Sequence, residues 1–200
     1  MKIEKAELLM LMARFLEYPD EDFIRGLADF ETEVQEHLSS RKLAKEFVKR
    51  CQPLMALDWK DLQELYVDTF DYKEKTGLYL TAQELGDSRR RGMALIQLQK
   101  LIEDLGFERV SDELADYIPM LLELLAVADE GEQTKLLERR LSYALHRIVG
   151  HLSRDNPYHA LLEMLTLYVF EAPSREEIKL VESAWEDADL DPLPYPMFYQ

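Results

Sequence analysis

A metal or acid–base centre in this chain would have to be assembled from four histidines, one cysteine and forty carboxylates. Helical bundles that hold di-iron centres do so with Glu-x-x-His pairs, which place both ligands on one helix face. Three positions before His37, His146, His151 and His159 stand Val34, Tyr143, Ile148 and Asn156, none of them acidic. His146 and His151 are five apart and share no face. Cys51 stands alone, which rules out an intrachain disulfide or a thiolate cluster, and its apolar helical setting suits a buried thiol. The sequence has no Gly-x-Gly-x-x-Gly, Walker or Gly-x-Ser-x-Gly loop. Carboxylates are spread over every predicted polar face, so no pair is set apart as acid and base. No catalytic or metal-ligating set results.

What the residues do offer is an apolar surface with charge beside it. Leu62, Tyr66 and Phe70 recur every four positions, one stripe of a helix that Trp59 extends. Such a stripe packs into a core or anchors an amphipathic helix in a groove. Eight methionines add adaptable thioether surface. Arg89, Arg90 and Arg91 open a helix against its dipole; they either pair with nearby acids such as Glu84, Asp87 and Glu103 or bind an anion. Asp116 stands before Tyr117-Ile118-Pro119 at the head of another apolar helix, where it serves as a cap.

The elements that must position these residues are helices. Glycine is scarce, at seven in 200, and no alternating run of Val, Ile and Thr marks a strand. Leu, Glu, Ala, Lys and Met dominate, all helix formers. The pattern predicts an all-α bundle of eight to nine helices over residues 1–186, with a proline-containing tail over 187–200. Helix one spans Ile3 to Leu16 and ends at Glu17-Tyr18-Pro19-Asp20. Asp20 caps a second helix, with Phe23, Leu27, Phe30, Val34 and Leu38 inward. Leu43, Phe47, Cys51 and Leu54 mark the third, which Pro53 ends or bends. Asp58 caps the fourth. Thr81 to Glu84 has capping-box spacing that Gly86 cuts to one turn. The fifth helix starts at Asp87 or Ser88, carries Leu95, Leu98, Ile102 and Leu105, and stops at Gly106. Ser111 opens a short turn before the sixth, which bears Leu121, Leu122, Leu124 and Leu125 and is apolar nearly all round; that places it centrally. Two more follow, the second capped at Asp155-Asn156-Pro157, and Ser174 with Glu177 opens a last helix through Trp185.

Charge narrows the partners. Lys and Arg total 24 against 40 Asp and Glu, a formal net charge of −16. That field repels nucleic acid and anionic lipid and favours basic partners. No stretch approaches the roughly 20 apolar residues that cross a bilayer, and the charged start Met1-Lys2-Ile3-Glu4-Lys5 is unlike a secretory signal. A cytoplasmic protein without membrane insertion is expected.

The string Leu65 to Gly92 (LYVDTFDYKEKTGLYLTAQELGDSRRRG), followed by an apolar helix and by DELADYIPMLLELL, resembles the central region of NarJ-type assembly chaperones of respiratory nitrate reductase, relatives of the TorD/DmsD-like chaperones. The opening turn Leu16-Glu17-Tyr18-Pro19-Asp20 is similar to the family's as well. The resemblance implies a TorD-like helical architecture and a non-enzymatic chaperone. Its implied partner is the N-terminal segment of the nitrate reductase alpha subunit, bound until molybdenum cofactor is inserted and before membrane docking. The proteins that make the cofactor are further partners. No cofactor is implied as permanently bound; Arg89, Arg90 and Arg91 are the implied transient contact to the cofactor's pyrophosphate. The peptide trough is expected between the fourth and sixth helices, lined by Trp59, Leu62, Tyr66, Phe70, Leu78, Tyr79, Leu80, Glu84, Asp116, Tyr117, Met120 and Leu124. The family commonly has histidine where Tyr117 stands, so a proton-linked role there is done differently or not at all. The other readings are a metal- or cofactor-carrying helical redox protein and an acidic helical regulator that sequesters another protein.

Overall fold

Capping explains most of the helix boundaries. In a computed structural model that describes residues 2–108, 113–179 and 181, α1 spans Lys2–Phe15 and α2 spans Glu21–Gly26. Asp20 caps α2 through the Phe23 amide at 2.8 Å. The predicted second helix is broken: a 3₁₀ turn over Leu27–Asp29 separates α2 from α3 (Phe30–His37). The break lets Phe30 and Phe23 both reach the ring of Phe15, at 4.8 and 5.3 Å between centroids. Ser40 caps α4 (Arg41–Met55), which turns Ala44, Phe47, Cys51 and Leu54 inward at 3–4–3 spacing. Pro53 sits in its last turn. Burial pushes the Cys51 thiol up from its usual range.

Asp58 caps α5 (Trp59–Tyr66) through the Asp61 amide at 2.9 Å. Beyond it the backbone widens into a π-turn, Val67–Asp71, marked by the Tyr72 amide donating to the Val67 carbonyl at 3.2 Å. Asn156 Nδ2 donates to Thr69 Oγ1 at 2.7 Å and the Thr76 hydroxyl donates to the Thr69 carbonyl, which fixes the turn from two sides. After a 3₁₀ turn at Glu74–Thr76, α6 (Leu80–Leu85) ends at Gly86, whose φ of 54° and ψ of −140° suit glycine. Helix α7 (Arg90–Asp104) stops at Gly106, φ 85°, in a Schellman motif: Gly106 N donates to Glu103 O and Phe107 N to Ile102 O.

Helices α8 (Ile118–Val127), α9 (Glu132–His151) and α10 (Pro157–Tyr168) complete the bundle. As its composition predicts, α8 is central: Ile118, Leu121 and Leu122 are fully buried and the helix lies along α1. Helix α10 packs on α4 and α9, and Arg50 of α4 reaches Glu163 at 2.9 Å. The Ser174–Glu177 capping box forms, with bonds of 2.8 and 3.2 Å, and residues 175–179 are helical. Ser111, the continuation through Trp185 and the tail 187–200 lie outside the described residues. The described chain is all-α, and none of its helices is long and apolar enough to cross a membrane.

Candidate functional site

Helices α6 and α8 are joined head to head before either turns its side chains outward. Leu80 N donates to Asp116 O and Ile118 N to Leu78 O, both at 2.8 Å, so Tyr79 and Tyr117 lie paired across a short antiparallel bridge. Asp116 is fully buried and does not cap its own helix. Its Oδ2 accepts from the Thr81 amide at 3.2 Å and from the Thr81 hydroxyl, which makes it the cap of the neighbouring α6. The Thr81–Glu84 capping box therefore does not form. Thr81 serves Asp116, and Glu84 takes a two-pronged contact from Arg140 of α9 at 2.7 and 2.6 Å.

The arginine run is divided by the same cluster. Arg91 turns inward, its Nε 3.2 Å from Thr81 Oγ1, its Nη2 3.7 Å from Asp116 Oδ2 and its guanidinium 5.9 Å from the Tyr79 ring centre. Arg89 and Arg90 are exposed. Of the acids weighed as partners of the run, Glu84 is held by Arg140.

The aromatic stripe is mostly interior. Leu62, Tyr66, Phe70, Leu78 and Leu80 are all at least nine-tenths buried, while Trp59, at the start of α5, stands 53% exposed. Leu62 and Leu80 belong to the core, and Glu84 and Asp116 to the ion cluster. Tyr66, Phe70, Leu78 and Tyr79 border a hollow of about 240 Å³ with Tyr117 and Tyr18. The Tyr66 and Tyr117 hydroxyls lie 3.0 Å apart, and both donate to the Leu16 carbonyl, at 3.1 and 3.3 Å, where α1 gives way to the Glu17–Asp20 turn.

Tyr117 also borders a longer groove of about 440 Å³ along the outer face of α8. Met120, Leu124 and Val127 of α8 face Met10 of α1 and Phe107 beyond α7. Met10 and Val127 are 43% and 58% exposed, so the groove opens to solvent. Its charged lining is Glu17, Glu108, Glu113 and Glu123, and none of the described residues that line it is basic. Burial, then Glu123 and Asp20, hold the Glu17 carboxyl above its usual range against the opposing pull of Arg14. Burial does the same to Glu123. In the smaller hollow burial and Glu113 raise Asp71, and burial with the nearby Glu113 pushes Tyr79 up to about 12. Burial is the leading cause of each shift, and neighbouring carboxylates add to it at Glu17, Asp71 and Tyr79.

The structure thus moves the accessible surface from the buried stripe to the outer face of α8. Tyr117, Met120 and Leu124 of the expected set line the groove. Glu17, Glu113, Glu123, Val127, Met10, Tyr18 and Asp71 are additions. Part of this was available in the spacing of Met120, Glu123, Leu124 and Val127, which share one helical face. Among the described residues no group of three or more His, Cys, Asp or Glu is placed to hold a metal ion.

The sequence matches a family model described as nitrate reductase delta subunit over residues 27–154. A probable nitrate reductase molybdenum cofactor assembly chaperone NarJ of Bacillus subtilis is 30% identical over 165 residues, 82% of this chain and 89% of the relative. The nitrate reductase molybdenum cofactor assembly chaperone NarJ of Escherichia coli is 29% identical over 187 residues, 90% of this chain and 77% of the relative. These relatives are chaperones and not catalysts. An all-helical bundle with an open, acid-rimmed groove agrees with such a role, and the chain belongs to the nitrate reductase delta subunit family, as a NarJ-type molybdenum cofactor assembly chaperone.

Proposed function

We propose that the chain acts in the cytoplasm by holding the N-terminal segment of the nitrate reductase alpha subunit as an amphipathic helix in the groove along α8. The apolar side of that helix rests on Met10, Met120, Leu124 and Val127, and its basic residues meet Glu17, Glu108, Glu113 and Glu123. While held, the catalytic subunit stays open for molybdenum cofactor insertion and away from its membrane partner. The observation that carries this reading is the combination in one groove of exposed apolar side chains and acidic side chains. A soluble protein exposes such a patch at a cost in solubility, so a covering partner accounts for it. Proteins that make the cofactor are the second class of partner. Arg89 and Arg90 are the exposed members of the run from which a passing contact to the cofactor's pyrophosphate would come.

Calorimetric titration of the alpha-subunit peptide at several salt concentrations tests the reading. Binding should weaken as salt rises, and Val127→Asp, a change at an exposed position, should cost about tenfold in affinity. Equal binding of an uncharged scrambled peptide would overturn it.

A further inference from the structure

The 240 Å³ hollow beside the groove is too small for a helical turn, whose diameter is about 10–12 Å. It suits one long side chain. Its walls are rings held in place from behind. Tyr18 stands edge-on to Tyr66 at 5.5 Å between centroids, Tyr66 to Phe70 at 5.0 Å, and Tyr79 tilts against Tyr117 at 5.6 Å. Tyr158 backs Phe70 at 4.8 Å, and the two hydroxyls on the Leu16 carbonyl hold Tyr66 and Tyr117. The Tyr79 hydroxyl donates to Glu113 at 3.2 Å. Among the described residues the charged groups of the lining are Asp71, carried to the rim by the π-turn, and Glu113, both acids.

We propose that this hollow is an aromatic seat for one arginine side chain of the bound segment, and that it sets the register of that segment in the groove. The inference rests on the groove reading above. Ring faces attract a cation through their negative quadrupole, most strongly where water is excluded. A guanidinium is the cation of choice because it stacks flat on a ring while its N–H fork reaches carboxylates such as Asp71 and Glu113. The protein already makes this contact once, with Arg91 over Tyr79. An anion would face the Asp71 carboxylate, and an aliphatic chain would strip water from it without recompense. Tyr117 and Glu113 line both the hollow and the groove, so an arginine in the seat is continuous with a helix on α8. Apolar helices slide easily along apolar grooves, whereas one residue fixed in a fitted socket admits a single register.

The probe is the alpha-subunit N-terminal peptide, with each arginine replaced singly by its uncharged isostere citrulline, titrated into the full chain. One replacement should lower affinity about tenfold and the others far less. The double variant Asp71→Asn/Glu113→Gln should lose a similar factor with the parent peptide and almost nothing further with that citrulline peptide. Tyr18→Leu, a change at a half-exposed ring that leaves the core intact, should behave alike. Small losses spread evenly over all arginines, or a loss undiminished in the variants, would overturn the seat and leave the groove standing. If the parent peptide does not bind, the groove reading fails, and the seat is then judged with N-acetylarginine amide. Shifts of the Tyr18, Tyr79 and Tyr117 ring signals in NMR that vanish in the double variant support it, and their absence overturns it.

Discussion

Glu17 and Glu123 are placed where a carboxylate costs stability. Each sits at the groove with its pKa above the ordinary 4.5, chiefly through burial, and the charge of Glu123 adds to the shift of Glu17. A carboxyl with a raised folded value holds its proton more tightly in the folded chain than in the unfolded one. Its contribution to stability therefore falls as pH climbs from the ordinary carboxylate range towards neutrality. Replacing both by glutamine should raise the thermal midpoint by about 2–4 °C near pH 7 and remove part of the decline above about pH 4.5. The same variant should bind the basic peptide more weakly. Unfolding scans and peptide titrations on one preparation check the two effects, which must move in opposite directions. Tyr117 contrasts with this pair: burial holds its hydroxyl protonated, so it contributes a fixed hydrogen bond to Leu16 and no titration near neutral pH.

At the scale of elements, α6 is the piece most dependent on its neighbours. Six residues form no stable helix alone, and its buried Thr81 and Glu84 are held from outside, by Asp116 before α8 and by Arg140 on α9. Arg140→Met should cost about 3 kcal/mol, because Glu84 would stay buried with its partner gone, and Glu84→Leu added to it should restore most of that. Urea unfolding of the single and double variants measures the difference. The sequence showed α8 well, since leucines all round a helix leave it nowhere to go but the interior, and the caps Asp20, Asp58, Asn156 and Ser174 act locally, as their spacing implies. It hid the break at Leu27, because a continuous apolar stripe fits one helix as well as two that converge on Phe15. The π-turn after Tyr66 was equally hidden: its causes, Asn156 and Thr76, are 87 and 7 residues from Thr69. Asp116 read as a cap and is one, but for a helix 35 residues earlier in the chain. Spacing carries local caps; it carries no information about partners brought together by folding.

For the whole molecule, the distribution of the −16 charge bears on the proposed docking. The carboxylates of the α1–α8 face surround exposed Met10 and Val127, so long-range attraction and short-range apolar contact point to one place. The sequence led to an expected basic partner and an apolar trough; of the stripe residues named for that trough, Leu62 and Leu80 are buried in the core, whereas Tyr66 and Phe70 border the small hollow. An aromatic stripe looks the same whether it faces core or solvent, and here the core claimed it. The account stands on the location of the groove, and methionine methyl NMR reads that location directly. On addition of the alpha-subunit peptide the signals of Met10 and Met120 should shift strongly, while Met93, exposed on α7, and Met164, buried in α10, stay where they are. Shifts at Met93 with Met10 and Met120 unmoved would contradict it.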